Sequence, residues 1–456
     1  MTLTVFGALV CLLGLFVPIS AILHVQLALC LFGGTAAVSL PALGGATITP
    51  GVLFLPFFAA RVLLARHGVV PLRRVSRPTF WLMLVAVWGV LGAISIPRFL
   101  EGQIQILAID RTAGNTPGAG LFPLHPVSGN ITQSGYALGG FCAFLAIRSL
   151  LRLQRGLHVF AGAALLLTAM SCLAAIINLG EFYLGLPKIL VHVRTAGYRM
   201  FDAYEAGGLM RIQGTFPEAS AFASFSLPLF AFSLNLWLSK QRTLLSGVLA
   251  LLSFAFLAFS TSGTAYAGLA AYFGALGLGL AWRAYRTHRI PRARVLATMG
   301  MFVIAAVGAA VVLEMRVAAR VGTFLDNMVF AKLDSPSGIE RTAWSMQAWS
   351  NFLDTYGLGV GLGSARASSF AMVLLSNIGI IGTALFAAFV LEVWRGGEHV
   401  SATDRAVARA ARHAVLATLI AACLSATVFD LGIAFYGFAA AASLRPRDLR
   451  AEVRHA

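Results

Sequence analysis

Two short stretches carry residue types that handle anionic substrates. RIQGTFPEAS, residues 211–220, places Arg211 ahead of Glu218 with a Gly-Thr-Phe-Pro turn between them. ERTAWSMQAWSNFLDTYGLGVGLGSARASS, residues 340–369, opens on Glu340 and Arg341 and closes with Arg366 near its end. A guanidinium fork binds phosphate bidentately, and a nearby carboxylate can take the proton of a hydroxyl. As ordinary loop charges, the same residues would form surface pairs worth about 0–1 kcal/mol each. Arg211 and Glu218 would then be a structural pair capping a helix.

The elements that must hold these side chains follow from periodicity. At about 100° per residue, Trp344, Met346, Ala348, Trp349, Phe352, Leu353 and Tyr356 fall on one arc, which predicts an amphipathic interfacial helix. Glu340, Gln347, Ser350, Asn351 and Asp354 fall on the opposite arc, facing water. Arg341 lies inside the apolar arc, so it turns inward or snorkels back to the surface. The following GLGVGLGS has no Lys-Ser or Lys-Thr pair, which excludes a nucleotide loop. It reads as a turn whose amides, with Arg366 beside them, could hold an anion. Residues 179–218 interleave Lys188, Arg194, Arg199 and Arg211 with Tyr183, Tyr198, Phe201 and Tyr204, a mixture suited to phosphate and sugar.

Around these stretches the chain is lipid-soluble. Its 456 residues are 59% hydrophobic and 11% charged, against roughly 25% charged in a soluble domain. Apolar runs of about 17–25 residues bounded by charge predict an all-α polytopic membrane protein with 12–13 transmembrane helices. The count turns on residues 1–40, where 3–18 and 21–40 are short enough for a tight hairpin around Pro18. Met1–Phe16 has no basic leader and reads as a retained first span. The last two spans, 413–428 and 431–444, flank Asp430. Loops 98–133, 179–218 and 314–366 are long and carry no net charge, whereas the alternate loops hold 23 Lys/Arg and net +18. The positive-inside rule therefore puts the long loops outside the cytoplasm and the tail, 445–456, inside. The formal charge of +17 is thus topological. Anionic membrane lipid is its partner, and nucleic acid is not. The five cysteines and the loop histidines His125 and His192 lack metal-ligand spacing, so no metal site is expected.

Three segments in order resemble the O-antigen ligase/polymerase-like superfamily of bacterial inner-membrane proteins. RIQGTFPEAS at 211–220 is similar to its Arg-x-x-Gly-Thr-Phe segment. FSTSGTAYAGL at 259–269 is similar to its Ser-x-Ser turn between spans. The segment running from SGIERTAW to LLSNIGIIG is similar to its Arg-helix-Gly-x-Gly-x-Gly-Ser segment. The resemblance covers about 190 residues well and the span-and-loop plan throughout. It implies a metal-independent membrane glycosyltransferase without a cofactor, working at the periplasmic face on undecaprenyl-diphosphate-linked oligosaccharide and a glycan acceptor. A chain-length regulator and an export complex are the partners it implies. Arg211 and Arg341 would hold the diphosphate, with Arg366 helping, and Arg199, Tyr198 and Glu340 would line the substrate site. Glu218 would be the base, with Glu340 and Glu205 as alternates. Ligases of the family carry a His-Asn pair where this chain has Ser368 and Ser369, and serine does not replace histidine as a base at neutral pH. That favours the exopolysaccharide polymerase branch. A ligase, a lipid-linked glycan flippase and a non-catalytic scaffold of a secretion complex are the alternatives. The absence of an internal repeat and of charges deep in the spans argues against the flippase.

Overall fold

The computed structural model describes residues 2–41, 46–64, 75–110, 118–152, 156–197, 205–206, 209–287, 336–396 and 401–445. The protein is an all-α polytopic membrane protein. Seven described helices are long and apolar enough to cross a bilayer: α4 (Arg77–Phe99), α5 (Ser128–Leu151), α6 (Gly156–Tyr183), α7 (Ala219–Leu238), α9 (Gly263–Thr287), α11 (Phe370–Trp394) and α12 (Ala402–Ser425). Shorter apolar helices are α1 (Val5–Phe16), α2 (Ile22–Leu29), α3 (Pro50–Leu64), α8 (Thr243–Phe259) and α13 (Gly432–Ser443). The predicted span at 295–313 lies outside the described residues.

The N-terminal hairpin forms, with helices shorter than spans. α2 has 8 residues, so it rises only about 12 Å, less than half a hydrocarbon core. The chain leaves it at Cys30, and residues 38–40 form a strand instead of continuing a 21–40 span. β2 (Val38–Leu40) pairs antiparallel with β1 (Thr2–Leu3) and β3 (Ala46–Ile48). Arg61 on α3 closes the far side of the hairpin by donating to the Val17 carbonyl at 2.5 Å. A second small sheet pairs β4 (Gln105–Asp110) with β5 (Gly118–Pro123) inside the long loop 98–133.

The long loops gather at one end of the bundle. Arg366 N–H donates to Leu107 O at 3.2 Å, which joins the third loop to the first. Asn130, in the first turn of α5, donates to Leu362 O at 2.9 Å and Ser364 Oγ at 2.8 Å. Arg395 and Arg445 sit at the opposite end, on either side of the buried Glu392, with Arg445 Nη2 donating to its carboxylate at 2.8 Å.

α11 is broken. Gly379 has φ +63° and ψ −168°, and the glycine run is seated in the gap. Ile380 N–H donates to Gly357 O at 2.9 Å, and Val360 N–H to Ser376 O at 2.7 Å. Trp88 Nε1 of α4 donates to Ile378 O at 2.8 Å. These bonds satisfy backbone groups that the break would otherwise leave bare at membrane depth.

Candidate functional site

The interfacial helix predicted from the wheel is α10 (Pro336–Asp354). Arg341 is exposed and lines one cleft with Met346 and Trp349, so it does not turn into the protein interior. Asn351 is a correction: it is 1% exposed, not on a water-facing arc. The reason is the unforeseen hairpin. β4 covers that side of α10, and Gln347 Nε2 donates to Gln105 O at 2.8 Å. Trp349 and Leu353 are exposed in its place.

Arg341, Thr342, Ser345, Met346 and Trp349 face Ser368, Met372 and Leu424 across an open cleft of about 370 Å³. The cleft therefore joins the start of α10, the entry to α11 and the last turn of α12. The lining combines a cation and hydroxyls with methionines, an indole and a leucine. That lining suits a ligand with an anionic head and an apolar tail.

The glycine run is not an anion nest. Gly357, Gly359, Gly361 and Gly363 all have φ between +81° and +92°. Three of the four amides are spent on protein acceptors: Gly357 N–H on Phe352 O at 2.8 Å, Gly359 N–H on Thr355 Oγ1 at 2.9 Å and Gly363 N–H on Asn377 Oδ1 at 2.9 Å. A Cβ at Gly363 would stand 2.2 Å from Gly129 O, and one at Gly361 would stand 2.8 Å from Gly92 O. The alternation exists for close backbone approach to α4, α5 and α11. Arg366 is half-buried at the end of this run.

Arg211 is held at the same end by a clamp on the residues that follow it. Asn178, buried near the end of α6, accepts from Gln213 N–H at 2.9 Å and Gly214 N–H at 3.1 Å. Arg194 Nε donates to Gly214 O at 2.9 Å. Gly34 N–H donates to Thr215 O at 3.1 Å. Gly214 needs φ +56° to make this turn. Arg211 itself is half-buried, and its Nε has no partner among the described residues. Glu218 sits at the cap position of α7, as expected, but its side chain makes no capping bond. It accepts from the Ser220 hydroxyl, and no ion pair with Arg211 is present among the described residues. The structural-pair reading of Arg211 and Glu218 is therefore not realised.

α12 links the two halves. Ser425 Oγ, next to Leu424 of the cleft, lies 2.9 Å from Ser224 Oγ, one turn along α7 from Ser220. Arg341 with Ser368 thus stands on one side of the α12 terminus, and Glu218 with the Arg211 clamp on the other. Tyr198 and Arg199 lie outside the described residues, as do the side chains of Glu205 and Glu340. Among the described residues, no group of three or more His, Cys, Asp or Glu could hold a metal.

Asp430 is a residue that motif spacing missed. It follows α12 in the loop 426–431 and accepts from Gly432 N–H at 2.9 Å. It is close enough to Cys30 and Tyr436 for its charge to act on both. Burial pushes its carboxyl up to about 6, and the Gly432 amide only partly opposes this. The available signal was its isolation, the one acid between two apolar runs. Ionising Asp430 costs more in the folded state than in the unfolded chain. Stability should therefore fall as pH rises from about 4 through about 6. Melting curves of wild type and Asp430→Asn across that range should converge at low pH, with the variant more stable above it. Parallel curves would exclude the linkage.

No family model, curated protein or solved structure matches the chain.

Proposed function

We propose that this protein is a membrane glycosyltransferase that joins undecaprenyl-diphosphate-linked oligosaccharide units into exopolysaccharide or O-antigen at the periplasmic face of a bacterial inner membrane. The observation that carries the reading is the Arg341 cleft, at the end where the long loops meet. Ser368 lines it, at the position where the resembled ligases keep a histidine. The charge asymmetry of the loops supports an extracytoplasmic site and a cytoplasmic C-terminus.

In this reading the lipid diphosphate lies along Arg341, with its isoprenoid against Met346, Trp349 and Met372. The acceptor hydroxyl gives its proton to Glu218, and its oxygen bonds to the anomeric carbon of the donor sugar. The bond from that carbon to the diphosphate breaks. Charge collecting on the leaving diphosphate is what Arg341, Arg211 and Arg366 stabilise. A general base of this kind contributes about 10²–10⁴-fold. Glu218→Gln should lower polymer output by that order at normal expression, and full output would remove Glu218 from the role.

The reading itself is tested with purified protein and lipid-linked repeat units. A ladder of many added units is expected. A single addition would mean a ligase, and no product alongside movement of the lipid between leaflets would mean a flippase.

A further inference from the structure

The FSTSGT turn between α8 and α9 has no part in the mechanism above, yet its polar groups are left in an unusual state. Ser260, Thr261, Ser262 and Thr264 are all buried, at 0%, 4%, 1% and 6% exposure. Thr261 Oγ1 and Ser262 Oγ have no hydrogen-bond partner among the described residues. Ser262 occupies the cap position of α9, where a serine hydroxyl ordinarily accepts from the second or third helical amide. Here it accepts from neither. The first ladder bond of α9 is Tyr266 N–H to Ser262 O at 3.2 Å, so the amides of Gly263, Thr264 and Ala265 have no carbonyl in the helix to donate to. Thr261 is held at φ +48°, a conformation disfavoured for a β-branched residue.

Five donors, two hydroxyls and three amides, thus lie within five consecutive residues at the positive end of a helix of 25 residues. Neither carboxylate nor amide side chain occurs in the turn to satisfy them. A buried hydroxyl without a partner is costly, and a ligand rich in acceptors removes that cost for all of the donors at once. Gly263 is half-buried, the most exposed residue of the turn.

The turn is also in the right place. α7 and α9 run parallel from this end, and a Cβ on Gly268 would stand 2.8 Å from Leu227 of α7 and 3.9 Å from Leu424 of the cleft. The same offset brings Ser262 level with Ala221, one residue from Ser220. We infer that the α8–α9 turn, residues 260–264, is a phosphate-oxygen site opening on the mouth between Glu218 and the Arg341 cleft. The inference rests on the proposed function only for the source of the phosphate, a lipid-linked diphosphate.

The test is a binding measurement on the full-length protein in nanodiscs with three probes: farnesyl diphosphate, inorganic phosphate, and phosphatidylglycerol supplied in the disc. Wild type is compared with the double variant Thr261→Val, Ser262→Ala, which keeps the shape of the turn and removes both hydroxyls. Its melting temperature should equal or exceed that of wild type, because two unpartnered buried hydroxyls are gone. Farnesyl diphosphate affinity should fall at least tenfold. Loss confined to phosphatidylglycerol, or to inorganic phosphate, keeps the site and assigns it to a bilayer headgroup or a free ion. Equal affinities of the two proteins for all three probes, or no binding of any probe by wild type, would overturn the inference. A turn-dependent affinity without any product ladder leaves the site standing and removes the polymerase. A ladder with unchanged probe affinities does the reverse.

Discussion

Arg341→Ala is expected to lower polymer formation by about 10²–10³-fold, the usual effect of losing one donor to developing transition-state charge, while the fold is unaffected. The two halves of this expectation have separate grounds. Arg341 is exposed on α10 and makes no hydrogen bond or ion pair with another described residue. A surface substitution free of such contacts changes stability by no more than about 0.5 kcal/mol. It lines the cleft with Ser368 and Met372, so under the proposed function truncation removes a contact to the lipid diphosphate. Arg341→Lys separates charge from geometry. Lysine keeps the positive point but not the planar fork, so its product yield should fall between alanine and wild type. Ladder assays and melting temperatures on the same preparations check both halves. Wild-type yield from the alanine variant would sink the assignment of the cleft, and a melting point lowered by several degrees would make the residue structural.

Gly379→Ala should have the largest effect on the fold. At φ +63° and ψ −168° the residue occupies a region that is essentially closed to side chains, with a strain of about 1–3 kcal/mol. A Cβ there would also stand 2.3 Å from the carbonyl oxygens of both Gly357 and Leu358. Backbone oxygen cannot swing aside as a side chain can, so the glycine run must leave the gap in α11. The bonds of Ile380 N–H to Gly357 O and of Val360 N–H to Ser376 O would go with it. Loss of monodisperse protein on size exclusion, or a melting temperature lowered by many degrees, is expected. Gly135→Ala on α5 is the control, since nothing lies within 4 Å of the Cβ it would add. If both variants melted with wild type, the seated glycine run would not be what holds this end together.

These two residues also show where sequence patterns suffice and where they do not. The side of α10 that carries Arg341 was legible because it is a local property: the helical repeat of Trp344, Ala348 and Phe352 fixes the arc it shares with Met346 and Trp349. Asn351 obeyed the same repeat and was misplaced, because what covers it is β4, 242 positions away through Gln347 and Gln105. The glycines at 357–363 were visible as glycines, but positive φ serves an anion nest and a close backbone approach equally. Only Gly92 and Gly129, far along the chain, and Gly379, at the break in α11, decide between them. Arg211 and Glu218 were placed correctly at the head of α7. Their lack of mutual contact was invisible, since it follows from Asn178 and Arg194 holding the turn between them. Asp430 stood alone in its sequence, and its neighbour Cys30 comes from the opposite terminus.

The broken helix has a consequence for biogenesis. The glycine run is synthesised before the α11 segments that receive it, and long after α4 and α5, which flank it. It cannot seat until α11 has left the ribosome and entered the bilayer, when Asn377 can join Asn130 in engaging it. The cleft is therefore completed late in translation. A chain stalled before α11 would present its glycine run unsealed to the membrane quality-control proteases, so truncated products should be cleared instead of accumulating as partial bundles.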